Sequence, residues 1–165
     1  MRSTDQATAI LDAAAGLFAE RGIAAVGMGE VARAAGCSRA TLYRHFADRH
    51  DLHRAFVHRE ARRIGALVAA GTSDVGEAVL AAVRHVREAP ELLAWFGATD
   101  AGTTAELAQS DEVLEALGLT AAGDPAAARW LVRVIVSLLV VPGRDADEER
   151  EIVERFVLPG LRLPR

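Results

Sequence analysis

A helix stop followed within two residues by a helix start restricts the fold of this chain more than any other feature of its sequence. Gly36 tolerates the positive φ angle that ends a helix, and Ser38 is a favourable N-cap for a second one. Leu42 and Phe46 lie four residues apart and give that second helix a buried face. Two short helices joined by a tight turn form a helix-turn-helix, which the sequence predicts over about residues 27–46.

The remaining sequence also favours helices. Alanine, leucine, arginine and glutamate dominate, and no long stretch alternates with a period of two. The predicted helices cover about residues 3–21, 28–35, 38–46, 48–71, 75–89, 90–99, 106–117 and 125–141, with a last one from 145 to before Pro159. The sequence therefore predicts an all-α protein.

Charge is distributed unevenly along the chain. The net charge is −4, which alone argues against a nucleic-acid partner. Residues 1–63, however, carry ten arginines against seven acidic residues, whereas residues 64–165 carry nine arginines against sixteen acidic residues. This distribution indicates a mildly basic N-terminal part and an acidic remainder, although so small an excess of arginine also fits chance.

The sequence predicts a cytoplasmic protein with no membrane partner. Cys37 is the single cysteine, which excludes internal disulfides and cysteine-based zinc sites. The first residues include Asp5 and Asp12 and lack a long apolar core, so they predict no signal peptide. The longest apolar run, residues 134–141, is far shorter than the roughly 20 residues that span a bilayer.

The second helix of the motif carries hydrogen-bond donors on its outward face. The outward residues are Arg39, Ala40, Thr41, Tyr43, Arg44 and His45. Short residues interleaved with donors fit a DNA major groove about 12 Å wide. Arginine can read guanine or hold phosphate, the threonine methyl can meet thymine, and tyrosine and histidine can donate to phosphate oxygens. The pattern alone leaves open the alternative of a basic surface helix that is merely solvated.

The stretch from Leu17 to Leu52 resembles the N-terminal domain of the TetR family of bacterial transcription regulators. The matching residues are Phe18 to Gly22, Glu30 to Ala32, Ala35, Gly36, Ser38 and Thr41 to Phe46. The resemblance extends over roughly residues 4–64 and implies a three-helix DNA-binding domain there. It also implies a C-terminal helical domain for effector binding and dimerisation over residues 65–165.

The resemblance implies which side chains contact DNA. Arg39, Ala40, Thr41 and Arg44 would face base edges or nearby phosphates, Tyr43 and His45 would contact the backbone, and Arg49 stands where the family often has a phosphate-binding lysine. Gly27 departs from the threonine or serine that commonly caps the first motif helix and touches phosphate. With Gly29 two residues later, Gly27 predicts a weakly capped and mobile helix.

The resemblance also implies a small-molecule pocket among the C-terminal helices. Pockets of this kind are mostly apolar with a few polar groups. The candidate walls are Leu67, Leu92, Leu93, Trp95, Phe96 and Trp130. Ordinary core packing is the alternative explanation for these residues.

The predicted helix over 125–141 is apolar on nearly every side, since only Arg133 and Ser137 are polar from Leu131 to Val141. A peripheral helix of this kind is difficult to bury in a monomer. The predicted dimer interface comprises Leu131, Val134, Leu138, Val141, Ile152, Val153 and Phe156, paired with their symmetry mates as in the family. A two-fold dimer would place two recognition helices one DNA turn, or a multiple of it, apart on a palindrome.

Other functions have weaker support. His45, His50, His53 and His58 lie close in sequence, but we expect solvated histidines there and predict no metal site or other cofactor. Cys37 is expected to be a buried packing thiol. No nucleophile–base pair or glycine-rich phosphate loop supports an enzyme. The sequence therefore predicts an effector-responsive repressor that binds operator DNA as a homodimer. A transcriptional activator and an interaction module without DNA binding remain as alternatives.

Overall fold

The computed structural model describes residues 2–98, 109–117 and 124–161, in which all regular secondary structure is helical. The helices are α1 (Arg2–Arg21), α2 (Met28–Ala34), α3 (Arg39–His45), α4 (Arg49–Gly71), α5 (Val75–Arg87), α6 (Pro90–Ala98), α7 (Asp111–Ala116), α8 (Pro125–Val140) and α9 (Ala146–Ile152). Short 3₁₀ turns cover Ile23–Ala25 and Leu158–Gly160, and a π-helical turn covers Val153–Val157. The all-α prediction is confirmed.

Most predicted boundaries agree with these helices to within two residues. The helix predicted over 106–117 is described only from residue 109 onwards, and the loop predicted after it lies largely outside the described residues. None of the described helices is both long and apolar enough to cross a membrane.

The chain forms two compact units. The first consists of Met1–Arg59 with Pro90–Ala98, and the second consists of Glu60–Ala89 with Thr99–Arg165. Helix α6 therefore groups with the N-terminal helices, whereas the sequence predicted a division at residues 64 and 65. The functional meaning of the predicted domains stays a prediction.

The first unit is built around a core of aromatic and aliphatic side chains. Phe18 of α1 and Phe56 of α4 are fully buried and meet edge to face, with ring centroids 5.3 Å apart. Such aromatic pairs contribute about 0.5–1.5 kcal/mol beyond the burial of their area. Ile10, Val31, Leu42 and Leu52 complete the centre of this core. Helices α2 and α3 are thereby fixed on α1 and α4.

Two arginines hold the turn between α1 and α2. Gly22, at φ 74°, ends α1 as the sequence predicts, and its N–H donates to the Phe18 carbonyl. Arg21 donates to the carbonyl of Ala25 at 3.3 Å, and Arg49 donates to the carbonyl of Ile23. These bonds satisfy carbonyl groups of the 3₁₀ turn and fix the position at which α2 begins.

In the second unit, α5 packs against α8 and the C-terminal turns. Arg87 of α5 forms two hydrogen bonds with the Glu149 carboxylate, at 2.7 and 2.8 Å, and a third with the Leu138 carbonyl at 2.9 Å. The same carboxylate accepts the Gly143 N–H at 2.9 Å. This network joins α5, the end of α8 and the start of α9.

Helix α8 is less exposed than its composition suggests. Leu131, Val134 and Leu138 are buried against their own chain, and so is Val153 of the π-helical turn. These four residues of the predicted dimer interface therefore leave little surface for a partner, and the interface itself stays a prediction. Val141 and Phe156 are 70% and 65% exposed, and Ile152 is half-buried.

Two smaller expectations were wrong. Cys37 is partly exposed rather than buried, because it lies in the turn between α2 and α3. His53 is half-buried rather than solvated, since its ring packs edge-on against Phe18 with the centroids 5.4 Å apart.

Candidate nucleic-acid interface

Helix α3 begins as the sequence predicts. Gly36 adopts φ 64° in the turn after α2, a conformation that glycine reaches without a steric cost. The Ser38 hydroxyl then accepts the Thr41 N–H at 3.0 Å, which satisfies one of the free donors of the first turn. The Thr41 hydroxyl also lies 3.0 Å from the Ser38 hydroxyl. This geometry fixes where the outward side chains of α3 are placed.

The two faces of α3 differ sharply in burial. Leu42 is fully buried, and Phe46 just after the helix is 6% exposed. On the other side, Arg39, Ala40, Tyr43 and Arg44 are exposed, while Thr41 and His45 are half-buried. The six residues predicted to contact DNA on this helix therefore share a surface that is at least partly open to solvent.

The start of α2 is held by a side chain that sequence reasoning missed. Gly27 has no side chain to cap the helix, but its N–H donates to the Glu30 carboxylate at 2.9 Å. Arg21 donates to the other oxygen of the same carboxylate at 2.6 Å. The Gly27 hydrogen bond, followed by the Arg21 bond, holds the pKa of Glu30 below its usual value. The expectation of a weakly capped α2 overlooked that an acidic residue three positions after an N-cap can accept the N-cap N–H.

Arg49 has a structural role in addition to the predicted phosphate contact. Its guanidinium donates to the Ile23 carbonyl, and its Nε lies 3.4 Å from Nε2 of His53. Burial, with Arg49 close by, lowers the pKa of His53 to about 4. The imidazole is therefore neutral near pH 7 and accepts from Arg49. The partner Ile23 is 26 residues away, so local sequence carries no signal for this bond.

The surface of the motif has a positive charge excess that ion pairs do not cancel. Glu30 is the only acidic residue in α2 and α3, and it is already engaged by Arg21. Within the described part of the chain, Arg39 and Arg44 form no ion pair or hydrogen bond. Their donors are available to a phosphate or to a base edge.

The six candidate pocket residues belong to different units. Leu92, Leu93, Trp95 and Phe96 lie on α6 of the first unit, whereas Leu67 and Trp130 belong to the second. Leu92 and Trp95 are buried, and the Trp95 ring meets Phe96 edge to face at 5.1 Å. Leu67, Leu93 and Trp130 are exposed. The pocket stays a prediction.

No three metal-binding side chains of the described residues come close enough together to hold an ion. The chemistry of this surface is instead that of a capped helix presenting guanidinium, hydroxyl and imidazole groups. Two short helices joined by a glycine turn, with such a face on the second, define a helix-turn-helix DNA-binding protein.

Comparison with known proteins agrees with this class. The family model described as "Bacterial regulatory proteins, tetR family" matches residues 10–56. A protein named "Uncharacterized HTH-type transcriptional regulator Rv1255c" from Mycobacterium tuberculosis is 45% identical, with 91% of this chain and 82% of the relative covered. The HTH-type transcriptional regulator AcrR of Shigella flexneri is 46% identical over 43 residues, which cover 26% of this chain and 20% of AcrR.

Solved structures share the fold. A TetR transcriptional regulator from Rhodococcus sp. RHA1 has a TM-score of 0.66 at 24% identity, with 95% of this chain and 98% of that one covered. The TetR family repressor AlkX from Dietzia sp. has the same TM-score at 20% identity, with 92% and 97% covered.

The chain belongs to the TetR family of bacterial regulatory proteins and is a DNA-binding transcriptional regulator. Regulators of this family bind DNA and act as dimers, and the predicted family, fold class and general function are confirmed. The individual contact residues stay predictions.

Proposed function

We propose that the protein is a repressor that binds a palindromic operator as a homodimer and releases it on binding a small apolar effector. The observation that carries the DNA-binding part is the exposed outer face of α3, whose arginines have no acidic partner among the described residues. DNA binding requires cationic donors that do not have to break an internal ion pair first. We expect the protein to act in the cytoplasm, where its operator lies, and to catalyse no reaction.

A binding assay on arginine variants tests this interface. The probe is a duplex that the unmodified protein selects from a randomised pool, used at a stated salt concentration. Arg44→Ala removes a donor from the outer face of α3 and should weaken binding about tenfold, a typical cost for one lost base or phosphate contact. Arg84→Ala is the matched control, because Arg84 is an exposed arginine on α5 of the other unit. Equal binding by both variants would contradict the assigned surface.

The dimer is supported by apolar side chains that the chain leaves uncovered near its C-terminus. Trp130 and Val140 of α8, Val141 and Phe156 are between 46% and 70% exposed. Exposed large apolar side chains are typical of interaction surfaces, and homodimer interfaces are more apolar than other interfaces. This set differs from the interface predicted from sequence, because Leu131, Val134, Leu138 and Val153 are buried in their own chain.

A charge placed on this apolar surface tests the dimer. We expect Val141→Glu with Phe156→Glu to shift the protein to a monomer in sedimentation experiments, because each carboxylate would have to be desolvated in the interface. The monomer should lose most of its affinity for the selected duplex, since the second recognition helix no longer binds with it. Ala70→Glu, at an exposed position of α4, should leave the assembly unchanged.

The effector part of the proposal is supported by the placement of α6. Four of the six candidate wall residues lie on this helix, which packs against α1 of the DNA-binding unit. A ligand that contacts α6 would therefore act directly on the unit that holds α3. It changes operator affinity only if it binds the two conformers with different affinity.

The two tryptophans allow a direct titration. Trp130→Phe leaves the buried Trp95 as the only fluorescent tryptophan. We expect decanoate, a simple apolar-chain probe, to change the Trp95 emission and to lower affinity for the duplex at fixed salt. If decanoate binds but leaves the affinity for the duplex unchanged, an effector role is contradicted. If expression of a reporter gene behind the operator increases with the amount of protein, the protein is an activator.

A further inference from the structure

Gly29 of α2 borders the guanidinium of Arg39 without any intervening side chain. A Cβ atom placed on Gly29 would lie 2.7 Å from Nε and 2.9 Å from Cζ of Arg39, and closer still to Nη2. Carbon atoms do not approach other heavy atoms so closely, so the guanidinium occupies the space where any other residue would have its side chain. Both residues belong to the first unit.

The Arg39 side chain is exposed, and its guanidinium lies against the α2 backbone at Gly29. It forms no hydrogen bond or ion pair with any part of the chain that the structure describes. Glu30, the residue after Gly29, is already engaged, because its carboxylate accepts bonds from Gly27 and Arg21. The five N–H donors of Arg39 therefore remain available.

The position of the guanidinium indicates what it contacts. In a helix-turn-helix the second helix enters the major groove, whereas the first helix crosses the phosphate backbone. Arg39 starts on the second helix, but its charged end lies on the first. We propose that Gly29 is a positioning residue that seats Arg39 so that it contacts a DNA phosphate and not a base edge. This inference rests on the proposed DNA-binding function and assigns a role to Arg39 that the sequence left open.

The contact between the Gly29 backbone and the Arg39 guanidinium, here called the seat, has a thermodynamic consequence for DNA binding. An arginine loses rotamer entropy when a contact fixes it, and a side chain already confined by its surroundings loses less. A residue with a Cβ at position 29 would displace the guanidinium and remove this advantage. The resulting loss concerns a phosphate contact, so it should not depend on the base sequence.

Gly29→Ala tests the proposal against a matched control. Gly16→Ala in α1 makes the same exchange within a helix, but nothing lies within 4 Å of the added Cβ. Both variants should unfold at a higher temperature, since alanine favours helix over glycine. Only Gly29→Ala should weaken DNA binding, about three- to tenfold, by the same factor for the selected duplex and for a scrambled one. The slope of log affinity against log salt should fall by about 0.9 for each chain bound.

The Arg39→Ala background separates the seat from other effects of the alanine. If Gly29 acts through Arg39, adding Gly29→Ala to Arg39→Ala should cause no further loss of affinity. A loss confined to the selected duplex, an undiminished effect in the Arg39→Ala background, or wild-type binding by folded Gly29→Ala would each overturn the proposal.

A measurement without DNA keeps the seat distinguishable from the proposed function. In the free protein, the Arg39 Nε–H should be ordered in nuclear relaxation experiments, and it should become mobile in Gly29→Ala but not in Gly16→Ala. Equal mobility in all three proteins would overturn the seat even if the wild type binds its duplex. Failure of the wild type to select any duplex, with the seat intact by relaxation, would instead overturn the proposed function.

Discussion

Ser38 fixes the start of α3 and thereby the geometry of the candidate interface. Its hydroxyl accepts the Thr41 N–H and lies within hydrogen-bond distance of the Thr41 hydroxyl, so one side chain fixes the first turn of α3. A serine N-cap typically stabilises a helix by about 1 kcal/mol. Because α3 has only seven residues, loss of this bond affects a large part of the helix.

Ser38→Ala should therefore lower both the free energy of unfolding, by about 1 kcal/mol, and the affinity for the selected duplex. Ser110→Ala removes the corresponding N-cap bond of α7, where Ser110 accepts the Val113 N–H at 3.3 Å. This control should lower stability without a comparable loss of DNA affinity. Parallel losses of affinity in the two variants would show that general destabilisation explains the effect.

His53 makes the stability of the protein depend on pH. Burial lowers its pKa from 6.5 to about 4. In the unfolded chain the imidazole takes up a proton near pH 6.5, whereas the folded protein resists protonation until about pH 4. The free energy of unfolding should thus decrease as the pH falls from 6.5 to 4, and His53 should add no such slope above pH 6.5.

Urea unfolding at several pH values measures this slope. His53→Gln removes the titrating group and should flatten the decrease between pH 6.5 and 4, although the variant is less stable overall because the contact with Phe18 is lost. His50→Gln, at an exposed position of the same helix, should keep the wild-type slope. A wild-type slope in His53→Gln would assign the pH dependence to other groups.

At the scale of elements, the connection between α8 and α9 depends on the Arg87–Glu149 pair. Glu149 is 5% exposed and accepts bonds from Arg87 and from the Gly143 N–H. The Arg87 hydrogen bonds hold the pKa of the Glu149 carboxyl below its usual value. The pair thus adds stability above the normal glutamate pKa, and this stability is lost as the pH falls through the lowered value.

Glu149→Ala should lower the free energy of unfolding by about 2 kcal/mol, because it leaves the Arg87 guanidinium and the Gly143 N–H without their acceptor. This loss of stability is smaller than the loss for a fully buried ion pair, because the Arg87 side chain is 35% exposed. Glu151→Ala breaks the exposed pair with Arg155 and should change stability by less than about 0.5 kcal/mol. Equal losses in the two variants would contradict a structural role for the network.

The same elements show what the sequence could and could not predict. Gly36 predicts the turn and Ser38 predicts the start of α3, because the signals for helix ends are local in sequence. Contacts such as Arg49 with Ile23 join residues far apart in sequence, and no local pattern marks them. Helix α8 is apolar on most sides, and this pattern cannot distinguish side chains buried in their own chain from those left for a partner. Leu131 and Val141 share the pattern but differ in burial.

At the scale of the whole molecule, a weakly basic DNA-binding face occurs on a chain with a net charge of −4. The local excess of arginine over acid in residues 1–63 has to overcome the acidic remainder at the DNA surface. We expect strong dependence of binding on salt, since phosphate contacts release counterions. The proposed dimer would double these contacts and so compensate for the modest charge of each copy.

The most direct test of dimeric operator binding is the stoichiometry of the complex between the wild-type protein and its selected duplex, measured by sedimentation across a series of salt concentrations. We expect two chains on each duplex, a palindromic half-site pattern, and a logarithm of affinity that falls linearly with the logarithm of salt concentration. A single chain on the duplex, or no binding at low salt, would contradict binding as a dimer to operator DNA.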